Sequence, residues 1–303
     1  MSRGQSVSMA LTSPPIAHLI LGRRFEPYLE AALESIGGCC GHLVVNDNSG
    51  VASSPHAAVL GASPFGQAGR ITVARSGFVD FSSARNACIA ATPKEYSGAW
   101  VLFFDADEVH GGELGAIAEL LPRLPADVRA VDGYSRHFVG SYRWCHSVQR
   151  RLCFFRLAPD LRWSGAVHER LAPLGRRVVL PAVWSHYGHV VTPRMEAEKG
   201  RLYGALGQSG PTALEADLPL LDARVWAGML VQALPFHGYY ETAVLPTIAK
   251  LSTAWASTFA QVDALAAKRP VRARLRAALG GINSARIIAY RRLEARLRWG
   301  WQR

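Results

Sequence analysis

Trp100-Val101-Leu102-Phe103-Phe104-Asp105-Ala106-Asp107-Glu108 is the stretch of this chain whose reading decides the fold. Five apolar residues run without interruption into two carboxylates two positions apart. An apolar run of that length, without alternation, suits a strand buried on both faces between layers of helix. The carboxylates then fall at its carboxyl end, where open α/β sheets bind their ligands.

Working outward, Ile16 to Leu21 reads as a strand closed by Gly22. Phe25 to Ile36 reads as a helix, with Leu29, Ala32, Leu33 and Ile36 at helical spacing and Gly37-Gly38 as its stop. His42 to Val45 is a second strand, ended by the polar run Asn46-Asp47-Asn48-Ser49-Gly50. Ile71 to Ala74 is a third, and Ser82 to Ala91 is helical. Beyond the central stretch, Ile117 to Leu124 reads as a helix, and Leu152 to Leu157 and Val178 to Trp184 as strands. From Thr192 to about Thr258 the pattern is helical, carried by Leu202, Tyr203, Leu206, Leu221, Val225, Met229 and Leu230. Strands alternating with helices predict an α/β fold, a mostly parallel sheet with helices on both faces, followed by a helical C-terminal region. The expected divisions are a ligand-binding α/β domain over 1–190, a helical region over 191–267 and a basic tail over 268–303.

The chain has 303 residues, 49% hydrophobic and 19% charged, a globular composition with enough length for a large core. Its five cysteines form no paired metal-binding spacing, which argues against a structural zinc site and for a reducing cytoplasmic setting. Met1 to Pro15 is polar and reads as a loose leader without the apolar core of a signal peptide. No run approaches the ~20 apolar residues of a membrane span.

The net charge of +11 is unevenly placed. Of the 34 Lys/Arg and 23 Asp/Glu, 11 basic residues and a single acid, Glu294, fall between Lys268 and Arg303. The body is nearly neutral and the tail is a polycation. Ala289, Leu293 and Leu297 recur every four residues among arginines, with Trp299 and Trp301 at the end. That pattern is a basic amphipathic helix suited to an anionic membrane surface, with nucleic acid or pairing to the body as alternatives.

Carboxylates spaced as Asp105 and Asp107 suit a hard divalent cation, Mn²⁺ or Mg²⁺, shared with substrate phosphates. Four segments then resemble, in order, those of family 2 glycosyltransferases with the GT-A fold. Phe25 to Ser35 resembles the first helix and Leu43 to Ser49 the nucleobase loop. Phe81 to Ala87 resembles the helix before the metal strand, and Phe103 to Glu108 the D-x-D motif itself. The resemblance implies a nucleotide-sugar donor, with a UDP-sugar favoured. It implies Asp107 as principal metal ligand, with Asp105 beside ribose and metal and Ala106 between them in the donor site. Asn46 or Asp47 would contact the base, although the family usually has an acid where this chain has Asn46. Arg85 would contact base or phosphate; its plain alternative is a helix arginine paired with an acid. Arg162 to Leu171 resembles the acceptor-site segment, which makes Glu169 the expected general base, or else a structural ion pair. His186 resembles the later histidine that completes the metal site, and a nitrogen ligand favours Mn²⁺.

The expected reaction is sugar transfer to an acceptor hydroxyl with inversion. Candidate acceptors are a glycan or lipid-linked glycan, a hydroxylated base in nucleic acid, or a protein side chain. The rival readings are a metal-dependent phosphohydrolase or nucleotidyltransferase, and a non-catalytic basic binding protein on a degenerate domain.

Overall fold

The computed structural model describes residues 13–24, 26–50, 54–208 and 222–300. Phe25, Leu221 and Trp301, and most of the expected leader, lie outside them.

Twelve strands are present among the described residues: β1 (Ile16–Leu21), β2 (His42–Asp47), β3 (Ile71–Arg75), β4 (Trp100–Phe103), β5 (Glu108–Val109), β6 (Val128–Val139), β7 (Ser141–Cys145), β8 (Gln149–Arg156), β9 (Arg162–Ser164), β10 (Arg170–Ala172), β11 (Arg176–His189) and β12 (Leu234–Pro235). The principal helices are α1 (Leu29–Gly37), α2 (Phe81–Ala91), α3 (Glu113–Leu120), α4 (Pro193–Ala205), α5 (Leu245–Ala254), α6 (Ala256–Ala267) and α7 (Val271–Trp299).

Ten strands form one sheet, in the order β12-β7-β6-β8-β4-β1-β2-β3, with β11 beside β6 and β5 beside β11. The half made of β3, β2, β1 and β4 is parallel. Here side chains alternate between two covered faces. Leu19, Leu43, Val45 and Leu102 pack with Leu29, Leu33 and Ile36 of α1. On the opposite face, α2 lies across β1, β2 and β3. Asp80 starts α2 by accepting from Ser83 N at 2.7 Å, an N-cap that satisfies one of its free amides.

The expectation of a mostly parallel sheet is corrected: the sheet is mixed. β8 is antiparallel to β4 and β6, β7 to β6, β12 to β7, and β5 to β11. Around β6 the cause is connection length: Gly140 alone joins β6 to β7, whereas parallel neighbours need a crossover of a dozen residues or more, and 146–148 carry the returning chain on along β6 into β8. Gly140 has φ +68, and a Cβ there would sit 2.9 Å from a Val262 methyl, so this turn needs glycine twice over.

The region expected to be helical throughout contributes β12 to the sheet edge. Its helices close over that edge, with Trp226 and Val262 fully buried against Val139. α7 runs along β11 and β12. No helix of the described residues is long and apolar enough to cross a membrane, and all five cysteines are free thiols.

Candidate metal and ligand site

The carboxyl ends of β2 and β4 carry the acidic residues picked out from sequence. β4 ends at Phe103, and a turn closed by Glu108 N donating to Asp105 O at 3.0 Å returns the chain into β5. Because β5 pairs antiparallel with β11, His186 stands directly opposite Glu108. Residues opposed in this way share a face of the sheet with Cβ atoms about 5 Å apart. Asp105, Glu108 and His186 each offer a ligand atom within 4.8 Å of the others, all at least partly buried. This buried group could hold a metal ion.

The sequence-derived set was Asp105, Asp107 and His186. Glu108 takes the place of Asp107 in the group whose ligand atoms all lie within 4.8 Å of one another, because the β5–β11 ladder brings it opposite His186. Asp107 remains adjacent: its Oδ1 lies 3.3 Å from His186 Nε2. Ala106 is buried in the core. A Cβ built on Gly188 would lie 2.3 Å from Asp107 Oδ2, 2.7 Å from His186 Cε1 and 2.9 Å from Lys199 Nζ. Any side chain at 188 would have to push these groups apart.

Two arginines organise the carboxylates. Arg85 Nη2 donates to Asp105 Oδ1 at 2.7 Å, and its Nε donates to Glu169 Oε1. The guanidinium carbon also lies 4.1 Å from the Phe103 ring centroid, which fixes its plane. Arg151, from β8, donates to Glu108 Oε1 at 2.9 Å and reaches Asp105 Oδ2 at 3.4 Å. Asp105 N donates to Glu108 Oε2 at 3.1 Å. The expected site arginine Arg85 and the expected base Glu169 are thus one ion pair.

Glu169 reaches the site through the β9–β10 hairpin, which is anchored to α2 by a reciprocal pair of 2.9 Å bonds between the Asn86 amide and the Trp163 backbone. The hairpin loop bends through Gly165 at φ +97 and His168 at φ +55, a conformation that non-glycine residues seldom adopt.

Burial and charge set the proton affinities. Burial works to raise Asp105, but Arg85 and Arg151 overrule it and hold its carboxyl well below the usual range. Asp107 is raised by burial, with Lys199 opposing and the Asp105 charge reinforcing. Glu108 is pushed up to about 7 by burial, against the pull of Arg151. Glu26 is likewise raised to about 7 by burial and by the charge of Asp107. His186 is lowered well below the usual histidine value by burial and then by Lys199. It is therefore neutral and carries a lone pair, the form that binds metals.

Polar atoms left over at this place support the fit to a cation. Asp107 Oδ1, His186 Nδ1 and His137 Nε2 are buried without a hydrogen-bond partner among the described residues. Buried polar atoms of that kind are uncommon and call for a reason. His137 sits beside His186 in the β6–β11 ladder, their ring centroids 4.4 Å apart.

Asp47 and Asn46 part company. Asp47 lines a cleft of about 200 Å³ with Ser49, Gly50, Arg75, Ser76 and Gly77. Burial works to raise its pKa, but hydrogen bonds from Ser49 and Ser54 bring it below the usual value. Asn46 is fully buried. Its amide nitrogen donates to Ala84 O at 2.9 Å and Ser76 Oγ at 3.0 Å, and its oxygen accepts from Ser76 Oγ at 3.1 Å. It joins β2 to α2 and presents nothing to the cleft.

Several site residues were not singled out from sequence. Glu108 closes the acidic run itself, so the signal was present. Arg151 comes from β8, and its pairing with Asp105 and Glu108 depends on that strand lying beside β4. Lys199 comes from α4, donates to Gly188 O at 3.3 Å and faces Asp107, with nothing in its local sequence to mark it. His189, at the end of β11, pairs with Glu196 of α4 at 3.0 Å. Comparison with protein-family models and with curated proteins finds no match for this chain.

Proposed function

We propose that this chain is a metal-dependent glycosyltransferase of the GT-A type, moving a sugar from a nucleoside-diphosphate donor to an acceptor hydroxyl. The observation that carries the reading is the buried Asp105–Glu108–His186 group at the end of β4, with Asp107 touching His186. Supporting it are the parallel order β3-β2-β1-β4 and the polar cleft at the end of β2. The cleft lies at the carboxyl edge of the parallel strands, where nucleotides bind in open α/β sheets. In this reading Asp47, which lines the cleft with Arg75, would accept from a base N–H, favouring a UDP-sugar, and Arg75 would meet ribose or phosphate.

Asp105, Asp107, Glu108 and His186 would hold Mn²⁺ or Mg²⁺, the nitrogen ligand favouring Mn²⁺. When bound, such a cation neutralises charge on a departing diphosphate. Arg85 positions Glu169, whose carboxylate takes the proton from the attacking hydroxyl. Positioned bases of this sort contribute roughly 10²–10⁴-fold. Attack from the face opposite the diphosphate inverts the sugar centre.

A second reading rests on one specific observation. Both oxygens of Asp105 and both of Glu108 already meet Arg85, Arg151 or a backbone amide. A self-contained ion-pair network of that kind describes a catalytically silent domain. Donor binding and hydrolysis across a nucleotide-sugar panel, with Mn²⁺, Mg²⁺ or EDTA, separates the two. Metal-dependent recognition of one donor, lost in Asp107→Asn while the melting temperature holds, is the expected result. Absence of binding to every donor with either metal overturns the transferase and leaves the silent domain.

A further inference from the structure

Helix α7 is attached to the protein by its small side. Ala277 and Ala295 are its buried residues. Gly280 and Gly281 lie so close to the body that a Cβ would sit 2.7 Å from Ser147 Oγ and 2.8 Å from Leu234 Cδ1 respectively. An amphipathic helix ordinarily turns its large apolar residues inward. Here Ile288 and Trp299 are half-buried on the inner side, but most of the large apolar residues point out. Leu275, Leu279 and Leu297 are 61%, 66% and 78% exposed, and Ile282, Tyr290 and Leu293 are exposed as well. At 100° per residue these six fall within one narrow stripe along a helix of 29 residues, about 43 Å long.

The same face is cationic. α7 holds eight arginines and one acid, Glu294. Arg292 pairs with Glu113, and Arg291 and Arg298 with Glu294. Arg272, Arg274, Arg276, Arg286 and Arg296 make no ion pair among the described residues. Arg286 lies within the apolar stripe, and the others flank it or lie beyond its edges.

We propose that α7 docks the protein on an anionic lipid bilayer, the leucine stripe entering the acyl boundary and the free arginines meeting headgroup phosphates. The charge decides among occupants. A second copy of this chain would bring two arginine-edged stripes together and be repelled. A nucleic acid would satisfy the arginines and leave six large apolar side chains in water. An anionic bilayer satisfies both. Because α7 packs on β11, the strand that carries His186, docking holds the candidate site at a fixed height above the lipid.

The test is co-sedimentation of the full chain with vesicles of phosphatidylcholine alone and of phosphatidylcholine with phosphatidylglycerol. Binding is expected on the anionic vesicles and at least tenfold weaker on the neutral ones. Leu279→Gln/Leu293→Gln/Leu297→Gln should weaken binding at least tenfold with an unchanged melting temperature, since these side chains are exposed. Arg272→Gln/Arg276→Gln/Arg286→Gln should lose roughly fivefold per arginine. Two results overturn the proposal. One is binding that survives the leucine changes undiminished, which marks a simple polyanion site. The other is no vesicle binding by a chain that self-associates through α7 and becomes monomeric in the leucine variant.

Discussion

Gly188→Ala puts one methyl group where the site has no room for it. A Cβ there meets Asp107 Oδ2 at 2.3 Å, with His186 Cε1 and Lys199 Nζ both inside 3 Å. Its φ is not positive, so backbone conformation does not forbid the alanine and the effect is one of space alone. Restoring an ordinary contact of ~3.5 Å drives the Asp107 carboxylate back by about 1 Å. Metal–ligand distances tolerate roughly 0.2 Å, and a 1 Å misplacement in a reacting constellation costs on the order of 100-fold. The variant should therefore bind Mn²⁺ about 100-fold more weakly in a calorimetric titration. Overpacking should cost about 1–3 kcal/mol in urea unfolding. The control is Gly115→Ala in α3, where a Cβ meets nothing within 4 Å. It should leave Mn²⁺ binding alone and add about 0.5–1 kcal/mol of stability. Wild-type Mn²⁺ affinity in a folded Gly188→Ala would refute the placement of the cation beside Asp107 and His186.

Arg85→Met leaves Asp105 and Glu169 without their shared partner, and a buried charge so exposed costs about 3–5 kcal/mol; an unchanged urea midpoint would show that the pair is not formed. Asn46→Asp restores the acid usual in the resembled family but sets a carboxylate oxygen against Ala84 O, where an amide now donates. It should destabilise by about 1–3 kcal/mol and weaken donor binding no further than that loss explains, as measured by isothermal titration. His18 is buried, bonded to Thr92 and lowered to about 3 by burial and by Arg85. A histidine with a depressed folded pKa contributes stability that is complete above about 6.5 and is lost as pH falls toward 3. His18→Gln should flatten that acid decline by about 1.4 kcal/mol per pH unit in urea unfolding followed from pH 7 to pH 4.

The parallel half of the sheet was legible because each of its strands is a short apolar run with strong punctuation. β1 coincides with the reading, and β2, β3, α2 and β4 differ from it only by a residue or two at an end. The antiparallel half was legible only in part: the readings at Leu152 to Leu157 and Val178 to Trp184 meet β8 and β11, but β6, β7 and β12 carry no such signal. β6, Val-Arg-Ala-Val-Asp-Gly-Tyr-Ser-Arg-His-Phe-Val, mixes charge and aromatics, because its polar residues meet Arg150, Arg177 and the site instead of a uniform core. Propensity cannot foresee partners supplied by a distant strand. The same limit governs the site. Asp105 and Asp107 could be read from a local motif. Glu108 beside His186 depends on the β5–β11 register, and Lys199 beside Asp107 depends on where α4 lands.

Glu26, Asp105, Asp107, Glu108 and Glu169 gather around Arg85, Arg151 and Lys199, five carboxylates against three fixed cations. Arg85 and Arg151 are already committed to Asp105, Glu108 and Glu169. The surplus falls on the side of Asp107 and Glu26, where Lys199 is the main opposing charge, helped more weakly by Arg24 at Glu26 and by Arg151 at Asp107. Burial then leaves this side two courses: to hold protons, or to take up positive charge from outside. The neutral imidazole of His186 offers its Nε2 at that same place, and the absent Cβ of Gly188 keeps the space open. A purely structural network would be expected to balance its own charge. The uncompensated side of this one is where a divalent cation would remove the imbalance without any movement of the sheet.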